Sequence, residues 1–83
     1  MHELALTEDL VSLVEERTAG RVVVRVRLRV GRGAGVMAEA MAFCWDVVTT
    51  ATALEGSRLE IEETEGEELA VASVELRKER AHV

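Results

Sequence analysis

One cysteine, Cys44, is all that this 83-residue chain contains. It can close no intramolecular disulfide and supply no multi-cysteine zinc site. Aromatic residues are almost as scarce, with one Phe, one Trp and no Tyr. The core must therefore be built from Val, Leu, Ala and Met, and the stacking platforms of nucleic-acid sites are missing. No segment approaches the ~18 consecutive apolar residues of a membrane span. No charged-then-apolar signal peptide precedes the first regular pattern. The expectation is a soluble cytoplasmic protein with neither membrane nor nucleic acid as its partner. No Ser/His/Asp or Cys/His arrangement and no paired acids in a pocket motif are present, so an enzyme is not expected either.

What is present fits one small domain, 1–83. A chain of this length buries only roughly 60–65% of its unfolded surface, so its margin of stability is thin. The net charge is −6, unevenly spread. "RVVVRVRLRVGR" is basic and "EIEETEGEE" acidic, which suggests cross-strand partners.

"LTEDLVSLVEERTAG" has helical spacing. Leu6, Leu10, Leu13 and Val14 share a face, Thr7 is a candidate N-cap, and Gly20 suits the C′ position. Only a short extended piece is expected upstream, although the helix could equally begin earlier. In "RVVVRVRLRV" the alternation points Val22, Val24, Val26, Leu28 and Val30 inward. Arg25, Arg27 and Arg29 then lie on a wet face, neutralised by Glu60, Glu62 and Glu75.

"GRGAG" is a turn with neither a phosphate-loop ending nor dinucleotide-fingerprint spacing. A second helix follows, with Val36, Ala40, Phe43, Val47, Ala51 and Leu54 as its stripe, widened by Met37, Met41, Cys44 and Val48. It should be buried on most sides and end at "EGS". Trp45 lies at the stripe's edge, as a core residue. Leu59 and Ile61 face inward on the next strand, and Ala70, Ala72, Val74 and Leu76 on the last. The fold class is α+β: a small two-layer sandwich, β-α-β-α-β-β, with both helices on one face of the sheet.

The start, "MHEL", stands out chemically. The Met1 α-amine, the His2 peptide nitrogen and the His2 imidazole are nitrogen donors within two residues. Deprotonated amide nitrogen suits square-planar Ni(II) or Cu(II), with Cu(II) favoured by raw affinity. The fourth position could be the Glu3 amide nitrogen or a carboxylate. A terminal histidine taken alone is more often simply solvated.

"MHEL", "VGRGAGVMAEAMAFCWDVV", "ALEGSRLEIEE" and "GEELAVASVEL" together resemble the HypA-type nickel metallochaperones of [NiFe]-hydrogenase maturation, in register over essentially the whole chain. The resemblance implies a nickel-binding accessory protein holding Ni(II) at Met1, His2 and Glu3. Its implied partners are a maturation GTPase and the hydrogenase large-subunit precursor. Two departures stand out. The family's zinc module, with two Cys-x-x-Cys pairs between the last two strands, is replaced by the turn near 63–68, so no zinc is expected. Where some members carry a carboxylate at the start of the second helix this chain has Met37, and Glu39 is the nearest acid. The alternative is a metal-free protein-interaction module on the same fold. A monomer or weak homo-oligomer is expected, and His82 reads as a tail residue with no role.

Overall fold

The structure, a computed structural model, describes residues 2–78, and of His2 the backbone alone. The elements are α1 (His2–Thr18), β1 (Val23–Gly31), a 3-10 turn (Arg32–Ala34), α2 (Ala38–Val48), β2 (Arg58–Thr64) and β3 (Leu69–Leu76). The sheet order is β2-β1-β3, with β1 parallel to β2 and antiparallel to β3. Strand β1 is central. Its Val23, Val26, Leu28 and Val30 form one core with Leu10, Val11 and Val14 of α1 and Met41 and Trp45 of α2. Both helices therefore cover one face of the sheet, as expected for this α+β class.

The expected first strand does not form: α1 already begins at His2. Glu3, Leu4, Ala5 and Leu6 are all good helix formers, and nothing there breaks the helix. Thr7 is consequently not an N-cap. It is fully buried inside α1 and its hydroxyl donates to the Glu3 carbonyl at 2.6 Å. The buried stripe is Thr7, Leu10, Val11 and Val14, and Leu13 is turned outward. At the other end Ala19 adopts the left-handed conformation (φ 54°), while the Gly20 N–H reaches back to the Glu15 carbonyl at 3.2 Å. Ala19, not Gly20, thus occupies C′.

Helix α2 also differs from expectation. Met41, Cys44 and Trp45 are buried, whereas Phe43 is 74% and Val47 61% exposed, and Met37 lies outside the core. Two stripes of equal apolar quality compete on this helix. The one carrying Trp45 wins, because its indole fills the core and its N–H finds the Ser57 hydroxyl at 3.0 Å. Cys44 packs in the core as expected. The helix stops at Val48, not at "EGS". The Thr49 and Thr50 hydroxyls bond back to the Trp45 and Asp46 carbonyls, and Ala51 turns left-handed (φ 65°). A β-branched run that competes for its own backbone ends a helix in this way.

The strands depart from simple alternation at two bulges. One step on β3 spans two residues of β1 between Val23 and Arg25, so Val23 is buried while Val22 and Val24 are exposed. One step on β1 spans two residues of β3 around Ala72. The inward set on β3 is therefore Leu69, Val71, Val74 and Leu76, and not Ala70 or Ala72. Leu59 and Ile61 of β2 pack against the core as the alternation requires.

The wet face pairs as its charges suggest. Arg25 meets Glu60 at 3.4 Å and Glu75 at 2.5 Å, Arg27 meets Glu60 at 3.2 Å, and Arg29 meets Glu62 at 3.8 Å. The charges of Glu75 and then Glu60 raise the Arg25 pKa. The Arg27 hydrogen bond, assisted by the Arg25 charge, holds the Glu60 carboxyl below its ordinary value. A depressed carboxyl stabilises the fold above its unfolded pKa and loses that contribution as pH falls through the folded value. Glu60→Gln should thus melt slightly below the parent at neutral pH and with it below the carboxylate range. Paired thermal melts check this, and an unchanging gap would contradict it.

Candidate functional site

Helix α1 starts at His2, so the first N–H groups of that helix have no carbonyl one turn earlier to accept them. Glu3 follows within the same turn. Its carboxylate Oε2 accepts the backbone N–H of Met37 at 3.1 Å. Met37 is the N-cap residue of α2, extended at φ −88°, ψ 114°, and contributes no side-chain cap. Glu3 therefore places an anion at the positive end of a second helix, where the peptide dipoles favour it. One side chain ties the starts of α1 and α2 together.

Next to this tie lies an open cavity of about 380 Å³, walled by Val30, Gly31, Arg32, Met37, Glu39 and Glu63 among others. Arg32 stands 3.9 Å from Glu63 and 3.8 Å from Glu65. Glu39 is exposed in the first turn of α2.

Of the expected metal residues, Met1 lies outside the described residues, as does the side chain of His2. His82 lies outside them too. Glu3 is described, and the fold brings it to Met37, the position where the resemblance placed a carboxylate in some relatives. Among the described residues no three His, Cys, Asp or Glu side chains are arranged to hold a metal ion. No helix among them is long and apolar enough to cross a membrane. The Glu3–Met37 contact was not foreseen. Its one signal in the sequence is an acid in the first turn of a helix, which says nothing of its partner.

These features define a small two-layer α+β domain whose candidate site is a surface formed where two helices begin. The profile described as "Hydrogenase/urease nickel incorporation, metallochaperone, hypA" matches residues 1–73. The chain belongs to the HypA family. It is 47% identical over 66 residues to the hydrogenase maturation factor HypA of Crocosphaera subtropica, covering 80% of this chain and 58% of that protein. To the hydrogenase maturation factor HypA of Geobacter metallireducens it is 41% identical over 66 residues, covering 80% and 60%. The chain thus spans less than two thirds of the length of these relatives. The solution structure of the Ni metallochaperone HypA from Helicobacter pylori superimposes with a TM-score of 0.76. That match covers 93% of this chain and 98% of the other at 12% identity, and it establishes the fold.

Proposed function

We propose that this domain is a nickel carrier of [NiFe]-hydrogenase maturation, which accepts Ni(II) at Met1, His2 and Glu3 and passes it on without catalysing a reaction. The observation that carries the reading is a family match that runs from the first residue into the third strand, over residues 1–73. The geometry of α1 supports it. Amide nitrogens in the opening turn of a helix are not committed to intrahelical hydrogen bonds, so their deprotonation sacrifices no backbone pair. Amine, amide and imidazole nitrogens form the fused chelate rings that square-planar Ni(II) prefers. In the cytoplasm the recipients would be a maturation GTPase and the hydrogenase large-subunit precursor.

Glu3 has a second duty in this reading. By holding the Met37 N–H it fixes the first turn of α1 on the start of α2.

The test is a Ni(II) titration of protein with a free Met1 amine, beside His2→Ala and a form extended by one residue. The parent should bind with an affinity that rises with pH, because binding displaces protons from amine and amide. Both altered forms should bind at least about tenfold more weakly, and equal affinity in all three would remove the site. No structural zinc is needed in this reading, because one buried cysteine cannot make a thiolate site. Chelator-treated protein should keep its circular dichroism and its melting temperature. Unfolding on chelation would overturn that part.

A further inference from the structure

Strand β3 pairs only with β1 among the described residues, so its other side is a sheet edge. Natural edges are normally blunted by lysine, proline or inward charge. From Leu69 to Ser73 this one carries no charge and no proline. Beside it lies an apolar cavity of about 420 Å³ between α1 and β3, walled by Leu13, Val14, Arg17, Ala70, Val71 and Val74. No residue of β1 or β2 contributes to that wall, and Leu13 is 41% exposed there.

The stretch "EELAVASVELRK" is complementary to its own reverse, with acids at one end, bases at the other and large aliphatics at matching places between them; Glu75, whose mirror position is Ala70, is the one residue outside this symmetry. Two acids, Glu67 and Glu68, precede Leu69 and Val71; Val74 and Leu76 precede two bases, Arg77 and Lys78. In a regular strand Val71 and Val74, three apart, would face opposite sides of the sheet. The bulge around Ala72 puts both on the core side. We propose that β3 is a self-recognition edge, along which two copies of this chain pair antiparallel about a twofold axis passing between Ala72 and Ser73.

In that register Leu69 lies opposite the partner's Leu76, and Val71 opposite the partner's Val74. Glu68 meets the partner's Arg77, and Glu67 the partner's Lys78. All four charged residues are exposed. Inward residues face inward residues, so both copies keep their helices on the same side of one continuous sheet. The second copy covers the apolar cavity beside β3. The small side chains of Ala72 and Ser73 sit at the axis, where the strands approach most closely. The opposite edge offers no such pairing. An antiparallel self-pairing of β2 centred on Ile61 would set Glu60 against Glu62, and like charges directly opposed are destabilising.

The experiment is sedimentation equilibrium on the full chain over a concentration series, with two reversals, Glu67→Lys/Glu68→Arg and Arg77→Glu/Lys78→Glu. The parent should show a concentration-dependent monomer–dimer equilibrium. Each reversal places like charges at both ends of the interface and should weaken dimerisation at least about tenfold. An equimolar mixture of the two sets bases against acids at both ends, and should recover dimers of mixed composition at parental strength. Recovery in the mixture also shows that both variants are folded. A parent that stays monomeric throughout would overturn the proposal. So would reversals that dimerise like the parent, or a mixture no better than its components.

Discussion

Val26→Asp should leave this domain unfolded at room temperature. Val26 is fully buried on the central strand, between Leu59 of β2 and Val74 of β3 in register, beneath both helices. The substitution removes roughly 1.5–3 kcal/mol of apolar burial. It also strands a carboxylate in a core with no cation to meet it, at an effective cost of several kcal/mol. A domain of this length has a total stability on the order of 4–12 kcal/mol, so the loss consumes most or all of it. Arg27→Ala, one residue along, should melt within a few degrees of the parent. Arg27 is half exposed, and its ion pair to Glu60 at 3.2 Å lies on the wet face, where such pairs contribute little. Circular dichroism melts of the two variants decide the matter. A folded Val26→Asp would mean that the sheet is inside out. A collapse of both would mean that the arginine face is covered as well.

That contrast rests on strand phase, which the sequence reveals well in some places and poorly in others. From Arg25 to Val30 the alternation of Arg with Val or Leu leaves a single reading, because three arginines cannot enter a core without partners. Between Val22 and Val24 three valines in a row carry no phase at all, and the bulge there could only be seen in the pairing with β3. On β3 the spacing of Leu69, Val71, Val74 and Leu76 does carry the bulge, as two alternating pairs offset by one residue. Reading Ala70 and Ala72 as inward treated alanine as equal to valine, although a core this poor in aromatics must spend its larger aliphatics first.

Helix α2 shows the same limit. Its apolar residues cover almost the whole circumference, so periodicity alone cannot choose between the Phe43–Val47 side and the Met41–Trp45 side. The choice is made by tertiary structure, through the Ser57 hydroxyl that satisfies the indole N–H. At the candidate site the identity of the nitrogen donors could be read from "MHEL". The hold of Glu3 on Met37 joins residues 34 apart in the chain and exists only once both helices are packed.

The second large effect is expected at Gly31, where β1 ends. Its N–H donates to the Glu68 carbonyl at 2.6 Å, and the Gly33 N–H donates to the Gly66 carbonyl at 2.9 Å. These two bonds hold the β2–β3 turn, 65–68, against the end of the central strand. The approach is so close that a Cβ on Gly31 would stand 2.2 Å from the Gly66 oxygen, 2.5 Å from its carbonyl carbon and 2.8 Å from the Glu67 nitrogen. All three are backbone atoms, so no side-chain rotation relieves the clash. Gly31→Ala must displace either the turn or the strand end. It should cost about 2–6 kcal/mol, combining roughly 1–3 for overpacking with about 0.5–1.5 for each of the two hydrogen bonds if both break. At Gly33 the nearest atom to an added Cβ is the Glu67 Cγ at 2.9 Å, in an exposed side chain that can swing away, and the nearest backbone atom, the Gly66 oxygen, is at 3.3 Å, which needs a shift of only a few tenths of an ångström. Gly33→Ala should therefore cost distinctly less. Urea titrations of the two variants compare them directly. In this family the resemblance places a zinc module between these same two strands; here the turn docks chiefly by these backbone contacts, with the Arg32–Glu65 ion pair at 3.8 Å beside them. If Gly31→Ala matched the parent while Gly33→Ala did not, the turn would have to rest on the second glycine, and the strand end would be open.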